Sequence, residues 1–281
     1  MVSILLFATV SLASLGLFTW KMAGIVKQIK LGRPTNRSER PGERWKTMLL
    51  VAFGQKKMFN RPIPAVLHFV FYVAFIITQI ELLEVFIDGF TGSHRYFYHA
   101  GLGSLYTAVI STIEVLSILT FVATIIFFAR RNLIKLPRFN MQELRGWPRQ
   151  DANFILLFEL LLILFIFMMN TADEALLLES HQESYGFAIS QYLAPAFFGS
   201  DYAPQTLNIL SGVGWWGHLL MVFLFLNYLP YSKHLHILFA FPNTYFSNLN
   251  PLGKWTNMET VQREVGLMLD PSLEPNLEVG E

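Results

Sequence analysis

The stretch that decides the fold is Ala152–Thr171, ANFILLFELLLILFIFMMNT, twenty residues with Glu159 as the single charge. A bilayer's hydrocarbon core takes about 20 predominantly apolar residues to cross as a helix, and this run has that length. Working outward, four more such segments appear: Val2 to Trp20, Pro64 to about Phe86, about Gly101 to Ala129 with Glu114 inside, and about Val213 to Phe239. The whole chain of 281 residues is 53% hydrophobic and 15% charged, with mean hydropathy +0.41. That is too apolar for a soluble domain of ordinary composition. The expected fold is therefore all-α, a polytopic membrane protein built as a five-transmembrane-helix bundle.

The connections differ in sign. Between the first two segments lie eleven Lys or Arg, from Lys21 to Arg61, and between the third and fourth lie six, from Arg130 to Arg149. The loop from Ile87 to Leu102 carries only Arg95, and that from Ala172 to Gly212 carries none. The positive-inside rule then predicts an outside N-terminus and a cytoplasmic C-terminus, in the inner (cytoplasmic) membrane. The first segment reads as a retained helix, because its positive charge follows the apolar run where a signal peptide's would precede it. The net charge of +1 says nothing about nucleic acid, since the basic residues are used in setting topology, and no nucleic-acid partner is expected. With no cysteine, an iron–sulfur cluster must belong to a partner.

Residues 1–240 read as the transmembrane domain and 241–281 as a cytoplasmic segment. A short helix is expected around Arg44 to Phe53 in the first basic loop. Another is expected over 256–269, opened by a capping box at Thr256 to Glu259 and striped by Met258, Val261, Val265 and Met268. That stripe suits packing on the protein's own loops or docking of a cytoplasmic partner. The acidic end, Glu274 to Glu281, reads as a flexible linker or tail.

Histidines at membrane depth are candidate sites. On a continuous fifth helix, His218 and His236 lie five turns apart on one face, about 27 Å along the axis. His68, one turn into the second helix, is level with His236. Two imidazoles at one depth on different helices can ligate both faces of a haem iron, or they can be a hydrogen-bonded interfacial pair. His234 is about 200° around the helix from His236 and points elsewhere, to the headgroups or a haem propionate. His181 reads as solvent exposed. Glu114 and Glu159 count to similar depths, so they are expected to be neighbours, either in a structural hydrogen bond or in the ion path of a proton- or ion-coupled transporter. Glu81 and Glu84 near the outer end of the second helix are candidate proton acceptors for a quinol. A haem-free membrane anchor for a soluble partner is a further reading.

The run His218-Leu-Leu-Met-Val-Phe-Leu-Phe-Leu-Asn-Tyr-Leu-Pro-Tyr-Ser-Lys-His-Leu-His236-Ile resembles the fifth helix of the membrane b-type cytochrome subunits of respiratory nitrate reductase. The wider chain is similar to the membrane domains of heterodisulfide-reductase-related iron–sulfur oxidoreductases, through Gly54-Gln-Lys-Lys-Met58, His68-Phe69, Gly92-Ser-His-Arg95 and Asn227 to Lys233. The resemblance implies a haem b electron-transfer subunit of a quinone-linked oxidoreductase, exchanging electrons between the membrane quinone pool and a cytoplasmic iron–sulfur partner. It implies His68 and His236 as axial ligands of an inner haem, with His218 for an outer one. The second outer ligand is expected ten residues after His68, where this chain has Thr78. Either the outer haem is absent or its other ligand is His94, with His99 the alternative. One haem is expected and two are allowed.

Overall fold

A computed structural model describes residues 1–134, 136–144, 146–199, 202–251, 253–254 and 258–270. Among the described residues there is no strand, and five helices are long and apolar enough to cross a membrane. These are α1 (Val2–Ile29), α3 (Pro62–Thr91), α4 (Gly103–Asn132), α5 (Trp147–Glu179) and α7 (Pro204–Tyr228). Four shorter α-helices accompany them: α2 (Pro41–Met48), α6 (Ser190–Phe197), α8 (His236–Tyr245) and α9 (Glu259–Leu269). The chain is a multi-pass membrane protein built as one five-helix bundle.

Proline starts bound three of the spans and a glycine stop one of them. Prolines sit in the first turn of α3, α5 and α7, where the missing N–H has no partner to lose. Helix α3 ends at Gly92, whose left-handed φ of 72° lets its N–H close on the Asp88 carbonyl. Every crossing helix runs past the apolar stretch that marks it in the sequence by up to ten residues at an end, because the flanking polar residues continue the hydrogen-bonding pattern.

The helices close a ring: α1 packs on α3, α3 on α4, α4 on α5, α5 on α7, and α7 on α1. Two ends can be distinguished, an N-terminal end and a basic end holding the Lys/Arg-rich loops. At the N-terminal end, the Phe7 ring of α1 is fully buried, edge-on to Phe86 and Phe90 of α3 and tilted on Trp215 of α7. Gly89 lies against that ring with no room for a Cβ. On the opposite side of α1, Leu5, Leu12, Leu17 and Trp20 are exposed, as a face meeting lipid requires. The tightest seam joins α5 and α7. A Cβ on Gly214 would come 2.6 Å from the Met169 backbone nitrogen. Small residues here let the two backbones approach, which in lipid stands in for hydrophobic driving force.

The fifth span corrects the sequence reading. It is not one helix from Val213 to Phe239: α7 ends at Tyr228, and Pro230 and Ser232 interrupt it before α8 begins at His236. Pro230 has no N–H to continue the ladder, and Ser232 is extended, its hydroxyl accepting from the His234 N–H. Asp151 at the foot of α5 holds the break, taking the Tyr228 hydroxyl at 2.8 Å and the Lys233 N–H at 3.3 Å. The shared-face geometry expected for His218 and His236 therefore does not apply.

The first basic loop folds as anticipated around Arg44 to Phe53, as α2 followed by a wider π-helical turn at Leu49–Phe53. It lies on α8. Buried Arg44 donates to the carbonyls of Tyr245 and Ser247, Arg37 donates to that of Phe246, and Phe53 stacks on Phe241. These cations satisfy the orphan carbonyls at the end of α8 and so anchor the element that opens with His236. Helix α9 leaves Met258, Val261, Val265 and Met268 exposed. The capping residues Thr256 and Asn257, and the acidic end 274–281, lie outside the described residues.

Candidate functional site

Two polar sites lie toward opposite ends of the bundle, the first half-exposed at its basic end and the second buried within the ring. At the basic end, the first turns of α3 bring His68 to His236 at the start of α8, with ring centroids 6.5 Å apart and planes inclined by 39°. His236 Nδ1 lies 2.9 Å from the Lys233 carbonyl, so that nitrogen donates and Nε2 is left as a free lone pair. His68 Nδ1 is buried without a hydrogen-bond partner. Histidine–metal bonds run about 2 Å, which, with the imidazole's own size, puts two rings on opposite sides of one metal roughly 6.4 Å apart between centroids. The observed spacing matches this. Two axial imidazoles suit an iron whose equatorial bonds come from a porphyrin. A shallow, open pocket of about 420 Å³ lies on the α1 side of His236, lined also by Ile25, Ile29, Leu235, Phe239 and Asn243; it does not reach His68.

His234 sits beside His236, ring centroids 5.6 Å apart, and accepts or donates at the Ser232 hydroxyl. Burial, reinforced by His236, pushes its pKa down to about 4, so it is neutral at physiological pH. Lys233 reaches the Pro148 carbonyl at 3.0 Å and Asp151 at 3.7 Å.

The second site is a buried charge cluster under the N-terminal end. Its centre is Arg95, 2% exposed, in a left-handed conformation (φ 57°) that a side chain adopts only at a cost. The loop after α3 folds back into the ring so that Arg95 donates to Asp173 of α5 through Nε and Nη2, and through Nη2 to Asn170. Asp88 accepts from the Arg95 and Tyr96 N–H groups and the Ser93 hydroxyl, which fixes the loop. Glu84 accepts from the Phe97 N–H and the Tyr106 hydroxyl. Burial works against the charge on Arg95, yet Tyr106, Asp173, Glu81 and Glu84 outweigh it and hold its pKa well above the ordinary value.

Glu114, fully buried on α4, accepts from Asn170 and from the Ser190 hydroxyl with one oxygen, and from the Ile189 and Ser190 N–H groups with the other. It thus anchors the start of α6. Its partner on α5 is Asn170, eleven residues and about 16 Å along the helix from Glu159. The expected pairing of Glu114 with Glu159 is therefore not formed: α5 extends far beyond its apolar run, which shifts the depth count.

The remaining histidines fall apart from one another. His218, 8% exposed, turns toward α5, Nδ1 lying 3.4 Å from the Leu162 carbonyl. His94 Nε2 is 2.9 Å from Asp173, and Asp173 also takes the Ser211 hydroxyl, two turns of α7 from His218. The structure does not bring His94 and His218 together. His99 is exposed and edge-on to Tyr98, Thr78 returns its hydroxyl to the Phe75 carbonyl, and His181 is exposed in a turn.

Arg95, Asp173, Asn170 and Asp88 escape a reading that looks for histidines. A signal is present, since Arg95 is the single Lys or Arg in loops otherwise carrying Asp88, Asp173, Glu174, Glu179, Glu183 and Asp201. A lone arginine among carboxylates beside apolar runs is a candidate for burial as their counter-ion.

No family model matches the chain, and no solved structure matches it. It is 28% identical over 250 residues to the "Probable iron-sulfur-binding oxidoreductase FadF" of Bacillus subtilis (strain 168), a match covering 89% of this chain and 33% of that protein. The chain spans about a third of that relative's length.

Proposed function

We propose that this chain is the membrane electron-transfer part of a quinone-linked iron–sulfur oxidoreductase, with His68 and His236 as axial ligands of one haem b near the cytoplasmic face. The observation that carries the reading is the approach of these two rings at a spacing suited to one shared metal, with His68 Nδ1 buried and unpartnered. Haem, when bound, supplies one-electron redox chemistry. The chain's part is to hold and tune it. The Lys233 carbonyl fixes the ring of His236 and raises its basicity, and the Arg44 and Arg37 clamp on α8 restrains its position. A relative described as iron–sulfur-binding supports an iron–sulfur partner, reached from the basic end. Glu81 or Glu84, at the other end of α3, is the group we assign to proton acceptance from a quinol. An absorption spectrum of the purified protein, oxidised against dithionite-reduced, tests the reading: sharp b-type bands on reduction support it, and a featureless difference spectrum refutes it.

A further inference from the structure

In the cluster around Arg95 four carboxylates are fully provided for: Asp88, Glu84, Glu114 and Asp173 each accept hydrogen bonds at both oxygens. Glu81 is different. It is 3% exposed, neither of its oxygens has a hydrogen-bond partner, and its Oε1 points at Arg95 Nη1 from 3.6 Å, beyond hydrogen-bond length. The guanidinium's short bonds go instead to Asp173 and Asn170. The groups facing Glu81 are Arg95 from the loop, Glu114 from α4 and Glu84 from its own helix. One cation thus serves several buried carboxylates, and the one left without donors is where a proton is needed to hold the local charge down.

We propose that Glu81 is a proton-loading carboxyl, which holds an exchangeable proton inside the bundle and exchanges it with the N-terminal face by way of Asp173 and His94. Arg95 lies between Glu81 and Asp173, at 3.6 Å from one and 2.9 Å from the other, so it stabilises the carboxylate left when the proton departs. His94 Nε2 meets the same Asp173 oxygen at 2.9 Å, and with 44% of its side chain exposed it is where this polar line reaches water. No electron moves in the step: Glu81 loses one proton, and water at His94 gains one. In the quinone-linked reading this selects Glu81, and not Glu84, as the acceptor of a quinol proton; that clause rests on the proposed function, whereas the proton site itself does not.

Infrared spectroscopy of the full chain in lipid nanodiscs tests the site without any haem signal. The difference between wild type and Glu81→Gln is expected to show one protonated carboxylic-acid band missing from the variant, while Glu84→Gln keeps that band. If Glu81→Gln does not fold, Glu81→Asp provides the same information through a shift of that band. In deuterated buffer the band is expected to exchange at least tenfold more slowly in His94→Leu than in wild type. A band that survives Glu81→Gln, or stays unshifted in Glu81→Asp, overturns the proton site, and equal exchange rates overturn the route through His94. A protein lacking haem yet showing the Glu81 band would sink the proposed function and leave this proposal standing.

Discussion

The candidate sites divide by how their residues satisfy hydrogen bonds. Arg95 and Asp173 form a buried ion pair at 2.9 Å with both partners under 5% exposed, and removing one partner of such a pair typically costs about 3–5 kcal/mol because the other charge stays buried. Arg95→Met should therefore lower stability by about 3 kcal/mol or more, read as thermal unfolding in detergent; a variant as stable as wild type would show that Asp173 is neutral in the fold. His68 and His236 were legible in the sequence because they sit at one depth on opposite-running segments. Arg95 was not. Its burial depends on a loop that reverses into the ring through Gly92 and a left-handed arginine, and no helical or strand periodicity encodes such a reversal.

Among the elements, the seam between α5 and α7 is the least tolerant. Gly214 faces the Met169 backbone, which cannot swing away as a side chain does. Gly214→Val should destabilise the bundle by about 1–3 kcal/mol or more. A melting temperature within a degree of wild type would mean that the seam is looser than its geometry. Five crossing helices were readable from apolar length alone, and their proline starts from the residue pattern. The interruption at Leu229–Leu235 is signalled in the sequence by Pro230 but not by hydropathy. An apolar segment in a bilayer gives no amphipathic period by which to locate a break, so hydropathy runs straight through it. The consequence is chemical: with the helix broken, His236 is presented by α8 and aimed by the Lys233 carbonyl, not by its register with His218.

For the whole molecule, the asymmetry of lysine and arginine predicts that residues 21–61, 130–149 and 240–281 face the cytoplasm. A reporter fused after Glu281 should be active only in a cytoplasmic form, and activity only on the far side of the membrane would invert the account. In that orientation the paired histidines lie toward the cytoplasmic side and the Arg95 cluster toward the outer face, the separation that the proposed function requires. The central claim is that His68 and His236 together hold a haem, and haem quantification per purified chain addresses it most directly. The account predicts about one b-type haem in wild type and in His218→Ala, and none in either His68→Ala or His236→Ala, each still folded as an intact helical protein. Full haem content in both of the latter variants, or no haem in the wild type, would contradict it.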